Sequence, residues 1–244
     1  MDRQDVSVTL PWMGAGTELV VRAVDALPDD AFRAPSALPG WSRAHVIAHL
    51  ARNAEALTRL ATWARTGIET PMYASSDQRA AEIESSAQAP ADKLRSELVS
   101  TADDLDAALA ALDGATWQAQ VRSALGRAIP GAEVPWMRVR EVWLHAVDLD
   151  AGITVADLPP AVVDALLDEV TVTLSERDGC PCARLAPSDR DRRWALGAGL
   201  DPVELRGDAA FVLGWLVGRP ARAEVVAIDA GGSPVAVPQA PRWL

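Results

Sequence analysis

The segment from Pro135 to Gly152 constrains the fold most, because it combines nearly continuous apolar residues with a narrow charged stripe. The run PWMRVREVWLHAVDLDAG begins with a proline suited to the first turn of a helix and ends at a glycine suited to its carboxyl end. At about 100° per residue, Glu141, His145 and Asp148 fall on one side of that helix, and apolar side chains cover most of the remainder. A helix that is apolar nearly all round is normally buried, so these charged groups need an explanation.

Two interpretations of the stripe stay open on this segment alone. If the stripe faces water, Glu141 and His145 form a surface pair at four-residue spacing. If it faces the interior, the carboxylate and the imidazole need a hydrogen-bonding partner or a metal ion. Arg138 and Asp148 fall on the same stripe and are expected either to orient a ligand or to serve packing.

A second helix adds information about the stripe. It is predicted to open at Ser42, a favourable N-cap, and to run through GWSRAHVIAHLARNAEALTRLATWA. His49 lies on the margin of its apolar face with Asn53 beside it, whereas His45 lies farther toward the polar side. We therefore expect His49 to point into the protein and His45 not to do so fully.

Two helices that each place histidine at an inner edge favour a shared metal site. His49, Glu141 and His145 offer two imidazoles and one carboxylate, a set that suits catalytic zinc with an open fourth position. The same set suits non-haem ferrous iron. Metal sites in helical bundles are built in this way, from side chains on facing helices.

The pattern of predicted elements changes near residue 155. Four long helices with apolar stripes predict a four-helix bundle in the first part, and mixed helices and strands predict a small α+β domain in the second. The four long helices are predicted for residues 12–27, from Ser42, in ADKLRSELVSTADDLDAALAAL and from near Pro135, and a shorter fifth helix is predicted in SDQRAAEIESS. In the second part, helices are predicted in LPPAVVDALLDEVTVTLSER and in DAAFVLGWLVGR, the latter with Asp208 as N-cap. Short strands are predicted in CARLAP, RRWALG and DPVELRG. A strand or a short helix is predicted in ARAEVVAID.

Composition limits the partners more than the fold. The chain is 49% hydrophobic and 23% charged, as in ordinary globular proteins. Its net charge of −11 argues against nucleic acid or an anionic membrane as the main partner. Neither a signal segment nor an apolar run long enough to span a bilayer is evident, so we expect a cytoplasmic protein.

Several segments resemble the mycothiol-dependent maleylpyruvate isomerases of actinobacteria. They are GWSRAHVIAHLARN, ETPMYASSDQRAAEI, PWMRVREVWLHAVDLDAG, LGWLVGR and the terminal APRWL, and they follow one another along the whole chain. The first and third also resemble the wider DinB-like superfamily of metal-binding helical bundles, whose members use varied chemistry.

The resemblance implies a DinB-like four-helix bundle, assigned to residues 1–155, and a small α/β domain, assigned to residues 156–244. It implies conversion of maleylpyruvate to fumarylpyruvate, a step of gentisate degradation, with mycothiol and zinc as cofactors and a small anionic substrate.

The resemblance also implies roles for individual residues. It implies that zinc is held by His49, Glu141 and His145, and that Arg219 of LVGR, supplied by the second domain, reaches the active site. Arg219 is expected to bind substrate or cofactor, and Asn53 is a further candidate for cofactor binding.

Three alternatives stay open at this point. A mycothiol S-transferase, or another thiol-dependent metalloenzyme of the same superfamily, would use the same fold and the same ligands. An iron enzyme would use the same ligand set. A non-catalytic binding module would leave the charged stripe exposed to water and metal-free.

Overall fold

The computed structural model describes residues 2–219 and 224–243. The chain forms two compact units, Asp2–Ile153 and Thr154–Leu244. Helices and small β-sheets are both present, so the chain has the predicted α+β class. No helix within these described ranges is long and apolar enough to cross a membrane.

Long helices build the unit Asp2–Ile153. Their bounds are Val6–Asp25 (α1), Arg43–Thr66 (α2), Ser76–Ala87 (α3), Ala91–Ala110 (α4) and Val134–Asp148 (α5). α2 packs against α3, α4 and α5, and α1 packs against α4 and α5. α2 and α5 therefore meet in the middle of the unit, where Leu50, Leu57 and Val139 are fully buried.

The start and the end of α2 follow directly from its sequence. Ser42 is the N-cap, as predicted, and its side chain accepts a hydrogen bond from the backbone N–H of His45. The His45 ring in turn accepts from the backbone N–H of Ser42, which completes a capping box. The helix ends at Gly67, which adopts the left-handed conformation (φ 72°) typical of a C-terminal glycine.

The prediction for the first helix was wrong at its beginning. α1 starts at Val6, six residues before the predicted start, because the Asp5 side chain accepts from the backbone N–H of Ser7 and caps it. The helix continues through Pro11 at the cost of one backbone hydrogen bond.

A short β-hairpin joins α4 to α5 and was not predicted. Gln120–Arg122 (β1) pairs antiparallel with Ala128–Pro130 (β2), with the buried residues Val121 and Ile129 opposite each other. Strands of three residues are too short to show a period of two in the sequence, so the pattern of the first part predicts helices alone.

The unit Thr154–Leu244 contains a five-stranded sheet and two helices in its described residues. The helices are Pro160–Ser175 (α6) and Ala209–Leu216 (α7), and the strands are Ala183–Leu185 (β3), Trp194–Leu196 (β4), Val203–Arg206 (β5), Val226–Ile228 (β6) and Pro234–Val235 (β7). The strand order is β4-β3-β5-β6-β7, with β3 and β5 parallel and the other pairs antiparallel. The three predicted strands and both predicted helices are confirmed. The segment ARAEVVAID forms β6, although its first three residues lie outside the described ranges.

The N-cap of α7 lies at the predicted residue, but the side chain of that residue does not cap the helix. Asp208 is the N-cap residue, yet its side chain makes no capping bond and accepts instead from the Ser188 hydroxyl at 2.6 Å. The carboxylate of Asp189 takes over, accepting from the backbone N–H of Ala209 at 2.8 Å. A cap supplied from another loop depends on tertiary structure, which spacing along the helix does not reveal.

Candidate metal centre

His49, Glu141 and His145 lie together where α2 faces α5. Nε2 of His49 is 2.8 Å from Oε2 of Glu141, and Nε2 of His145 is 3.2 Å from the same oxygen. One possible ligand atom from each residue lies within 4.8 Å of the others. Glu141 and His145 are neighbours because four residues make about one helical turn, and α2 brings His49 opposite them. The stripe predicted on α5 therefore faces a histidine of another helix rather than open water.

The pKa values of His49 and Glu141 are both lowered, the first by burial and the second by hydrogen bonds that outweigh burial. Burial lowers the pKa of His49 from 6.5 to about 4, although Glu141 opposes this shift. Burial alone would raise the pKa of Glu141, but hydrogen bonds with His145 and His49 and their charges together hold it well below 4.5. Glu141 is therefore a carboxylate and His49 a neutral imidazole at neutral pH, the protonation states that bind metal.

Asp148 fixes the orientation of the His145 ring. Its Oδ2 is 2.8 Å from Nδ1 of His145, and the residue is almost completely buried at 1% exposure. Carboxylates accept only, so the protonated ring donates from Nδ1 to Asp148 and from Nε2 to Glu141. When the ring is neutral, Asp148 keeps the proton on Nδ1 and leaves the lone pair of Nε2 for a metal ion. Carboxylates behind ligand histidines have this effect in metal sites.

The donor set fits a divalent cation. Two imidazole nitrogens and a carboxylate oxygen are the set found in catalytic zinc sites with an open fourth position, and they also serve ferrous iron. The single oxygen of Glu141 shared by both histidines shows that the three donors already converge on one point.

His45 takes no part in this cluster. Its Nδ1 belongs to the capping box of α2, and its Nε2 lies 3.1 Å from Oε2 of Glu84. The ring stacks on Trp41, with the centroids 6.2 Å apart. The expectation that His45 does not point fully inward is confirmed.

Trp41 and Arg79 border the cluster. The Trp41 ring lies 5.6 Å from the His49 ring, which agrees with its position beside the start of α2. Nη2 of Arg79 lies 3.2 Å from Nδ1 of His49, and its guanidinium carbon lies 5.6 Å from the Tyr73 ring centroid. The sequence analysis missed Arg79 and Tyr73. A signal existed for Arg79, because it precedes the buried residues Ile83 and Ala87 at four-residue spacing on α3.

Asn53 and Arg138 pair in the interior, one turn away from the cluster on each helix. Nη1 of Arg138 donates to Oδ1 of Asn53 at 2.8 Å and to the backbone oxygen of Leu50 at 2.7 Å. Arg138 is 1% exposed, and its burial lowers its pKa to about 10. Its Nε and Nη2 have no hydrogen-bond partner within the described ranges. Arg138 therefore ties α5 to α2 beside the candidate ligands.

Arg219 belongs to the other unit, where it follows α7. It is half-buried, and its Nη1 donates to the backbone oxygen of Val217 at 2.7 Å. Its contact with the active site stays a prediction.

Comparisons with known proteins agree on one family. Residues 13–150 match the model of the mycothiol maleylpyruvate isomerase N-terminal domain. The chain is similar to a crystal structure of the mycothiol-dependent maleylpyruvate isomerase, with a TM-score of 0.89 and 34% identity over 98% of this chain and 97% of that chain. A structure of that enzyme with one histidine replaced by alanine matches with a TM-score of 0.88, the same identity and the same coverage. The search of curated proteins gave no match.

Proposed function

The chain belongs to the mycothiol maleylpyruvate isomerase family, and we propose that it converts maleylpyruvate to fumarylpyruvate with mycothiol as the thiol cofactor. The observation that carries the proposal is the convergence of His49, Glu141 and His145 on one point, with Asp148 behind His145. These four residues lie within the part of the chain that the family model matches.

We infer that this cluster binds zinc. His49 and His145 would each offer Nε2, and Glu141 would offer Oε2. When bound, such an ion lowers the pKa of a thiol or stabilises negative charge on a substrate oxygen. Asp148 would keep the Nδ1 proton of His145 in place, so that Nε2 stays available as a donor atom.

The reaction needs a thiol nucleophile, and none of the described residues brings a thiol into this cluster. Rotation about a carbon–carbon double bond requires that bond to become single for a time, which reversible addition of a thiol to the conjugated alkene provides. The electron pair of the double bond moves onto the conjugated keto oxygen and returns when the thiol leaves, so no oxidant or reductant is consumed. We assign this thiol to mycothiol rather than to Cys180 or Cys182, two free cysteines of the unit Thr154–Leu244.

The remaining assignments complete the proposal. We propose that Arg219 binds a carboxylate of the substrate or holds the cofactor, because the paired N–H groups of a guanidinium match a carboxylate. Asn53 is proposed as a cofactor contact whose amide is oriented by Arg138. We assign residues 1–155 to a DinB-like four-helix bundle, which the mutual packing of α1, α2, α4 and α5 supports, and residues 156–244 to the small C-terminal domain.

The test is the loss of maleylpyruvate absorbance with purified protein, with and without mycothiol, before and after chelation. Turnover that needs both mycothiol and the metal, and that returns with added zinc, is the expected result. Turnover without mycothiol would contradict the proposal. Absent turnover with one zinc bound per chain would keep the metal site but favour a mycothiol S-transferase. Activity restored by ferrous iron but not by zinc would replace the zinc assignment.

A further inference from the structure

Arg79 brings a positive charge to the edge of the metal centre from a helix that supplies no candidate ligand. We propose that Arg79 is a substrate-binding residue, whose guanidinium holds one carboxylate of a dicarboxylate substrate beside the cluster of His49, Glu141 and His145. This inference rests on the proposed function, because it names how the same site recognises its anionic substrate.

The position of Arg79 is fixed by its surroundings. Nη2 lies 3.2 Å from Nδ1 of His49, and the guanidinium carbon lies 5.6 Å from the Tyr73 ring centroid, within cation–π range. The segment that carries Tyr73 is itself held in place, because Nε and Nη2 of Arg59 both donate to the backbone oxygen of Met72, at 3.0 and 2.6 Å. Arg79 is thus a half-buried, oriented cation rather than a mobile surface arginine.

Arg79 differs from its neighbours in having no anionic partner. Within residues 2–219 and 224–243, no carboxylate lies at ion-pairing distance from its guanidinium, whereas Arg52 pairs with both Glu55 and Glu97. A half-buried guanidinium has lost part of its hydration, and this loss is not fully offset while some of its N–H groups lack a hydrogen-bond acceptor. An incoming carboxylate restores that compensation through two parallel hydrogen bonds.

Metal binding would increase the number of donors that Arg79 can offer. When Nε2 of His49 coordinates a cation, the neutral ring carries its proton on Nδ1. Nδ1 is then a donor and no longer accepts from Nη2 of Arg79. The guanidinium of Arg79 then has an N–H group without its acceptor. This group lies beside the metal centre, where a bound substrate would present its negative charge.

The negative charges of the substrate and of the protein also indicate that a substrate carboxylate needs a cation such as Arg79. Maleylpyruvate is a dianion, and the chain carries a net charge of −11, so its overall field opposes substrate entry. A carboxylate group therefore needs a local cation. Arg138 cannot meet this need directly, because it is 1% exposed and already bonded to Asn53 and Leu50. Among the residues that the structure describes, Arg79 is hydrogen-bonded to the cluster and keeps access to solvent.

The competing explanation is that Arg79 only orients His49. The two roles differ in what they do to metal binding. A positioning residue strengthens zinc binding, so its removal weakens it. Removal of a residue that only binds substrate leaves zinc affinity unchanged or raises it, because the hydrogen bond from Arg79 to Nδ1 favours the ring tautomer whose proton competes with metal at Nε2.

The experiment compares Arg79→Gln and Arg79→Lys with Arg65→Gln, which removes an exposed arginine in the last turn of α2. Four quantities are measured for each zinc-loaded protein: KM for maleylpyruvate, KM for mycothiol, the Kd of maleate by calorimetry, and the Kd of zinc by competition with a chelator. In Arg79→Gln we expect KM for maleylpyruvate and Kd for maleate to rise about 10- to 100-fold, as for the loss of a charge-assisted hydrogen bond. KM for mycothiol and zinc affinity stay within about twofold of the Arg65→Gln control, and Arg79→Lys recovers part of the loss because it keeps the charge without the paired donors.

The outcomes separate this inference from the proposed function. Unchanged maleate binding in Arg79→Gln, absent maleate binding in the wild type, or a zinc affinity that falls in parallel would each overturn it. A wild-type protein that binds maleate through Arg79 but does not isomerise maleylpyruvate would support the inference and count against the proposed reaction alone.

Discussion

Oδ2 of Asp148 lies 2.8 Å from Nδ1 of His145, three residues earlier on the same helix, and both side chains are largely shielded from water. This hydrogen bond decides which ring nitrogen of His145 faces Glu141. The charged stripe of α5 therefore contains both a candidate ligand and the group that orients it.

Replacement of Asp148 by asparagine tests that relationship. Asp148→Asn keeps the size of the side chain but removes the charge that stabilises the Nδ1 proton, so zinc affinity is expected to fall about 10- to 100-fold. Competition with a chromophoric chelator measures the change. The matched control is Asp150→Asn, since Asp150 is exposed and its positive φ of 51° suits asparagine. Equal zinc affinities in the two variants would show that Asp148 does not orient a ligand.

The pH dependence of zinc binding follows from His145. Burial lowers its pKa, but hydrogen bonds with Asp148 and Glu141 outweigh burial and raise it above 6.5. Zinc must displace that proton, so affinity is expected to rise with pH until His145 is deprotonated in the metal-free protein and then to level off. His49, whose pKa is lowered to about 4, is neutral throughout this range and adds no slope. Chelator competition between about pH 6 and 8.5 measures the curve. A zinc affinity that does not change over this range would contradict the assignment of His145 as a ligand.

The two histidines of α2 offer a matched pair of alanine variants. His49→Ala removes a donor atom and is expected to abolish stoichiometric zinc binding and turnover. His45→Ala is expected to retain zinc, because the His45 ring bonds to Ser42 and Glu84 instead. It should lower the free energy of unfolding by about 1 kcal/mol through loss of the capping box. Metal analysis and urea unfolding separate the two effects, and loss of zinc from His45→Ala would redefine the site.

Helical periodicity predicted the part of this site that lies on long helices. Glu141 and His145 share a face because they are four residues apart, and His49 faces them because it lies at the inner edge of α2. The same reasoning placed His45 outside the cluster. Such positions are readable because one long apolar face settles the rotation of the whole helix.

Residues whose roles depend on tertiary placement could not be predicted in this way. Spacing along α3 places Arg79 on the side of Ile83 and Ala87, but its contact with His49 depends on how α3 packs against α2, which local spacing does not show. Spacing along α2 gives no sign that Arg138 occupies the side-chain oxygen of Asn53, the residue predicted to contact the cofactor. The hairpin of β1 and β2 consists of strands of three residues, a length at which periodicity carries no signal.

Replacement by alanine is expected to change the free energy of unfolding in opposite directions at two glycines of α1. A Cβ at Gly16 would lie 2.4 Å from Cγ2 of Val142 and 2.9 Å from Nε1 of Trp143, so α1 and α5 would have to separate. Gly16→Ala is expected to lower the free energy of unfolding by about 1–3 kcal/mol through overpacking. A Cβ at Gly14 would have no atom within 4 Å, so Gly14→Ala should raise the free energy of unfolding by about 0.5–1 kcal/mol through helix propensity. Urea denaturation of both variants measures the difference, and stabilisation by both would mean that the two helices are not in close contact at Gly16.

Replacing one or both members of the buried pair Arg138 and Asn53 is expected to lower the free energy of unfolding by unequal, non-additive amounts. Asn53→Leu leaves a buried guanidinium short of a partner and is expected to cost about 3 kcal/mol of unfolding free energy. Arg138→Met removes this donor only from neutral acceptors, the amide oxygen of Asn53 and the backbone oxygen of Leu50, and should cost about 1–2 kcal/mol. The double variant Arg138→Met/Asn53→Leu removes both polar groups and should be more stable than Asn53→Leu alone, because no buried charge is left without its acceptor. Urea unfolding of the three variants gives the coupling energy directly. Strictly additive losses would show that the 2.8 Å contact between Arg138 and Asn53 contributes nothing to holding α5 against α2.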